Sequence, residues 1–126
     1  MTETHQGEAG RYIRYEVADR VARITVDRPE YRNAQSRLLL EELDEAFLSA
    51  AQDSDVNVIC LFGAGDHFSA GHDLGTPDEL ADREERPWEP GIRGWYDRTW
   101  EQFYANTKRW RDISKPTVAA VQGYCI

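Results

Sequence analysis

Apolar and polar positions alternate through Tyr12-Ile13-Arg14-Tyr15-Glu16-Val17 and again through Val21-Ala22-Arg23-Ile24-Thr25-Val26, on either side of the short polar break Ala18-Asp19-Arg20. A period of two puts alternate side chains on opposite faces, so residues 12–26 are expected to form a β-hairpin. Asp27-Arg28-Pro29 ends it, because proline has no N–H to continue a ladder, and a polar loop follows through Asn33. From Ser36 the period lengthens. Leu39, Leu43, Ala46, Phe47 and Ala50 recur at helical spacing with acidic residues opposite, which predicts an amphipathic helix over residues 36–52. Val56-Asn57-Val58-Ile59-Cys60-Leu61-Phe62 is a β-branched apolar run closed by Gly63-Ala64-Gly65, the pattern of a buried strand.

Strand, helix and strand in this order predict a layered α/β arrangement with a crossover connection. Residues 78–90 combine clustered charge with prolines and read as a surface loop or lid. A second helix is expected over residues 94–112, with Tyr96, Trp100, Phe103, Thr107 and Trp110 along one stripe. Aromatic density of this kind favours a core-facing surface over ligand stacking. Residues 115–126 read as a strand entered through Pro116, followed by a turn at Gly123. The sequence stops on an apolar residue beside an apolar strand, whereas termini tend to be polar. It is therefore expected to be an amino-terminal piece, with residues 1–10 as a flexible tail and residues 11–126 as part of one domain.

Bulk composition narrows the functional classes. The 126 residues are 40% hydrophobic and 30% charged, within the range of globular proteins. No apolar run approaches the roughly 20 residues of a spanning helix, so no membrane partner is expected. The polar start lacks a basic segment and an apolar block, unlike a secretory signal. A formal net charge of −8 repels a phosphate backbone and argues against a nucleic-acid partner. An anionic small molecule is still compatible where arginines gather locally. Cys60 and Cys125 lie in apolar runs, where a thiol behaves as a small hydrophobe, and two buried thiols suit a reducing cytoplasm.

Candidate chemistry concentrates in residues 65–74. Small residues at Ser69, Ala70 and Gly71 allow close backbone approach, and a short helix is expected to follow. Unpaired N–H groups at a helix start can receive an anion or a developing oxyanion. Asp66, His67 and Ser69 contain the residue types of a hydrolytic triad, but neighbours in one loop adopt that geometry poorly and no Gly-x-Ser-x-Gly spacing is present. His67, His72 and Asp73 lack metal-ligand spacing, so no metal is expected. Asp73 has a structural reading as a helix cap, and Gly71 as a positive-φ turn position.

Four stretches in order resemble the crotonase superfamily, the enoyl-CoA hydratase/isomerase family. They are Val21-Ala22-Arg23-Ile24-Thr25-Val26-Asp27-Arg28-Pro29 with Arg32-Asn33-Ala34, the helix at 36–52, residues 58–74 with Phe68-Ser69-Ala70-Gly71-His72-Asp73-Leu74, and Lys115-Pro116-Thr117-Val118-Ala119-Ala120-Val121-Gln122-Gly123. The resemblance implies an α/β, crotonase-like (ClpP/crotonase) fold of stacked ββα units, incomplete in this stretch. It implies a lyase or isomerase of fatty acid metabolism that acts on an acyl-CoA and polarises its thioester carbonyl with two backbone N–H groups. The first donor maps onto the His72 amide, and the substrate-binding positions onto Arg32, Ala34, Ala70, Gly71 and Asp73. Arg32, read without the resemblance, is equally a solvated loop charge. No cofactor is implied, since coenzyme A is part of the substrate. The second donor and the acid/base carboxylates are expected beyond Ile126. A cytoplasmic trimer or hexamer is the implied assembly of the complete protein. Two other readings stand beside the enzyme: a non-catalytic acyl-CoA binder, and an assembly partner whose strand edge pairs with another chain.

Overall fold

Val17 faces Ala22 and Ala18 faces Val21 across a two-residue turn in which Asp19 and Arg20 have φ of 53° and 67°. Such turns match the twist of the strands they join, so the polar break closes the expected hairpin. The computed structural model describes residues 5–6 and 10–126. It contains strands β1 (His5–Gln6), β2 (Ile13–Ala18), β3 (Val21–Val26), β4 (Val58–Gly63) and β5 (Thr117–Ala120), side by side in that order. β1, β2 and β3 pair antiparallel, whereas β3, β4 and β5 pair parallel. Most of the expected tail at residues 1–10 lies outside the described residues, and its His5–Gln6 portion is the edge strand β1.

Helix α1 (Arg37–Gln52) connects β3 to β4 across one face of the sheet. Ser36 caps it by accepting from the Leu39 N–H at 3.2 Å, a bond of the kind an alanine there would lose at about 1 kcal/mol. Its buried stripe is the expected Leu39, Leu43, Ala46, Phe47 and Ala50, with Leu40 added. Ala22, Ile24, Leu39, Ala50 and Ile59 are wholly buried between helix and sheet.

The other face of the sheet is graded. Its rows run Glu16, Arg23, Cys60, Val118 and Arg14, Thr25, Phe62, Ala120, from charged on β2 to apolar on β5. Within β4 only Ile59 is fully buried, which corrects the expectation of a strand buried on both faces. The thiols correct likewise: Cys60, in a row of this uncovered face, is half-buried, and Cys125, beyond the last strand, is exposed.

Two helical expectations also change. Residues 78–90 were expected as a loop, but Pro77–Glu85 forms helix α2. Thr76 is its N-cap, Pro77 supplies the first position, and Asp78 and Glu79 favour the positive end of the helix dipole. Arg83–Glu79 at 3.2 Å and Arg86–Asp82 at 2.5 Å then pair at i,i+4 spacing. The charges that suggested a solvated loop are the two sides of these helical pairs.

The expected helix over 94–112 is interrupted. It comprises α3 (Ile92–Thr99), a π-helical segment (Trp100–Ala105) and α4 (Asn106–Arg111). Only the end of the aromatic stripe meets the core, where Trp110 stacks on Phe47 at 5.2 Å and donates to Asp44 at 2.9 Å. Tyr96, Trp100 and Phe103 are about half exposed, contrary to a core-facing stripe. No helix among the described residues is long and apolar enough to cross a membrane.

Candidate functional site

The site is built where the turn after β3 meets the loop after β4. Asn33, buried and with φ of 57°, accepts from the Arg28 N–H at 2.9 Å and donates to the carbonyls of Ala64 and His67 at 2.9 and 2.8 Å. Asparagine tolerates this left-handed conformation better than most residues. Its amide thereby stitches the turn onto the loop. Ser69 continues the seam, donating to the Asn33 carbonyl and accepting from Gln35 Nε2 and the Gly71 N–H at 3.0 to 3.1 Å. The Ser69 hydroxyl is thus engaged by the chain's own backbone and by Gln35.

Gln35 and His72 form a parallel bridge. The Gln35 N–H donates to Gly71 at 2.8 Å, and the Asp73 N–H donates to Gln35 at 2.9 Å. In a parallel bridge the residue between the two bonded groups turns its own N–H to the opposite side. The His72 amide therefore faces away from Gln35, and it has no hydrogen-bond acceptor among the described residues. Gly71, next to it, has φ of +92°, and a Cβ added there would lie 3.4 Å from Ile126. No helix starts at residues 69–75, contrary to expectation; α2 begins only at Pro77. The His72 N–H is a free amide at an isolated bridge, without a helix start behind it.

The imidazole of His72 has its own role. It stacks on Phe103 with ring centres 3.8 Å apart, and its Nε2 lies 3.3 Å from the Gln102 carbonyl. A carbonyl can only accept, so Nε2 carries hydrogen. The Gln102 carbonyl also accepts from Asn106 Nδ2 at 3.0 Å. The π-helical widening thus presents a main-chain acceptor to the loop, consistent with the use of such turns near functional sites.

Among the other expected site residues, Arg32 is exposed at φ 50° and its carbonyl holds the Ala70 N–H at 2.9 Å. Ala34 and Ala70 are half-buried and Gly71 is buried. The Ala34 N–H donates to Tyr31, and its carbonyl accepts from Arg28. The structure brings these residues together where the two segments are bridged.

The expected capping role of Asp73 is corrected. The cap of α2 is Thr76, and the Asp73 side chain, 1% exposed, turns inward onto Arg28. Burial raises its carboxyl pKa, but donation from the Thr76 hydroxyl and amide, the Arg28 guanidinium and the Gly75 amide outweighs that and holds it down to about 2. A carboxylate so held is a poor proton acceptor at neutral pH.

Arg28 and Asn33 carry the seam, and reading for motifs assigned neither a role. A usable signal was present: Ala22, Ile24 and Val26 alternate inward, and the same parity continues to Arg28.

The family model for enoyl-CoA hydratase/isomerase matches residues 16–126. An enoyl-CoA hydratase named EchA13 from Mycobacterium tuberculosis is 43% identical over 125 residues, covering 89% of this chain and 39% of its own length. A carboxymethylproline synthase from Pectobacterium carotovorum is 33% identical, covering 88% and 41% respectively. A mitochondrial dienoyl-CoA isomerase from Rattus norvegicus is 35% identical, covering 84% and 32%. Among solved structures, an enoyl-CoA hydratase from Mycobacterium smegmatis superposes with a TM-score of 0.79 at 43% identity, covering 92% of this chain and 43% of that one. The chain spans about two fifths of the length of these relatives or less. Over that part its α/β fold is the crotonase fold.

Proposed function

The chain belongs to the enoyl-CoA hydratase/isomerase family, and from that premise we propose that it binds an acyl-CoA thioester and holds the thioester carbonyl with the His72 backbone N–H. The observation that carries this reading is the His72 amide itself: turned away from its bridge partner, without an acceptor among the described residues, and fixed by bonds on both flanking residues. A fixed donor costs no reorganisation when a carbonyl oxygen gains charge, and one such bond is worth about 3 kcal/mol. Gly71 gives the substrate close access to it. Ala34 and Ala70 flank the groove for the CoA adenine end, and exposed Arg32 supplies positive charge for a CoA phosphate in an otherwise acidic chain.

The reaction at that carbonyl depends on where protons move. Hydration of a 2-enoyl thioester needs a base for water and an acid for carbon, and Asp73, pinned by Arg28 and Thr76, fills neither role. Relatives 33% to 43% identical are named for hydration, isomerisation and synthesis. This part of the fold thus supplies carbonyl binding common to several reactions, and hydratase or isomerase chemistry is assigned to the complete protein, as a trimer or hexamer.

Isothermal titration with crotonyl-CoA and with free CoA tests the proposal. Wild type should prefer the thioester; His72→Pro, which removes the N–H, should lose the preference, and His72→Ala should largely keep it. Equal affinity of wild type for crotonyl-CoA and free CoA would sink the reading.

A further inference from the structure

The turn and the loop that form the site share one buried cation. Arg28 is 0% exposed, and its Nη1 donates to the Ala34 carbonyl at 2.9 Å and to Asp73 Oδ2 at 2.7 Å. Its Nη2 donates to Thr76 Oγ1 at 2.7 Å and lies 4.0 Å from Asp78 Oδ2. The rings of Tyr12 and Tyr31 lie 5.0 and 4.6 Å from the guanidinium carbon. We propose that Arg28 is a positioning residue: its guanidinium fixes the His72 N–H relative to the Ala34 side of the groove. This rests on the reading of that N–H as the carbonyl donor.

Connectivity carries the inference. Ala34 precedes Gln35, whose backbone holds both Gly71 and Asp73, and Asp73 follows His72. Nη1 reaches one atom on each side of that bridge while Nη2 is held by Thr76, so the guanidinium ties the two bridged segments at the point where the His72 amide emerges. A planar guanidinium holds its donors at fixed angles, which a lysine ammonium on a flexible stem does not.

Stability alone is a weak reason for such a pair, because taking both charges out of water offsets most of their attraction. Moreover, Arg28 Nε is buried without a hydrogen-bond partner among the described residues. The group sits where its Nη contacts require, at the expense of Nε.

The experiment uses the ¹⁵N-labelled chain carrying Arg28→Lys, which keeps the charge without the fork, and Asp73→Asn, which keeps the shape without the charge. Amide resonances of His72 and Ala34 are followed against those of Ala46 and Ala50 in α1, alongside titrations with crotonyl-CoA and free CoA. The expected result is displaced His72 and Ala34 resonances, undisturbed α1 resonances, and a preference for crotonyl-CoA over free CoA reduced by roughly tenfold or more. A merely structural role would lower the thermal midpoint while leaving that preference and the His72 resonance unchanged, and this outcome overturns the proposal. Should Arg28→Lys fail to fold, the milder Asp73→Asn decides by the same readouts. Wild type without thioester preference, but with His72 displaced in the variants, overturns the functional reading and leaves the positioning supported.

Discussion

The space between α1 and the sheet and the aromatic stretch through α3 and the π segment draw on similarly large apolar side chains, and they end in different surroundings. Ile24, Leu39 and Ile59 are completely buried, whereas Trp95 is 66% and Ile92 85% exposed. Periodicity is present in both. The difference is that α1 crosses directly between two adjacent parallel strands and is laid on the sheet by its connections, while the run from α3 to α4 is joined to β4 and β5 by longer segments and meets the core through Trp110 of α4, which stacks on Phe47 of α1. An apolar stripe specifies which side of a helix seeks cover; chain connectivity specifies what is within reach to cover it.

The comparison can be broken by mutation. Ile24→Ala empties a sealed site and should cost about 4 kcal/mol in urea unfolding; a loss below about 1 kcal/mol would show that this interior is loosely packed. Acid should act next. The Asp73 pKa is depressed to about 2 from 3.8, so its stabilisation is complete above the unfolded value and is lost as pH falls from about 4 toward 2. That amounts to about 2 kcal/mol, and Asp73→Asn should remove this part of the acid dependence.

Trp110→Ala, at the one junction between the two regions, should cost about 2 kcal/mol, less than a fully buried tryptophan because it is only partly enclosed. Trp95→Ala should change stability by less than about 0.5 kcal/mol. An unfolding loss as large as that of Trp110→Ala would mean that the exposed stripe is packed after all. Smallest of all, Arg93→Ala removes an exposed pair with Asp97, and its effect should vanish in high salt.

Much of the fold was legible because its determinants are local. Alternation marked β2 and β3, helical spacing with Ser36 marked α1, and Gly63-Ala64-Gly65 marked the end of β4. The site was legible in part. The resemblance brought Arg32, Ala34, Ala70, Gly71 and His72 together, and the structure adds why the amide is free. It also moves Asp73 inward, and finds Arg28 and Asn33, whose partners lie 45 and 34 residues away. No local period reports partners at such distances.

The sequence by itself determined the strand and helix periods, the acidic balance and the small residues at Ser69-Ala70-Gly71, since each follows from neighbouring side chains and backbone freedom. Only the tertiary structure decided which apolar stripe was covered, that the charged run at 77–85 is a helix, and that the His72 N–H faces outward. Those outcomes depend on surfaces and hydrogen-bond partners from distant parts of the chain. A buried guanidinium or a bridged strand acquires its partners only when the chain has closed around it.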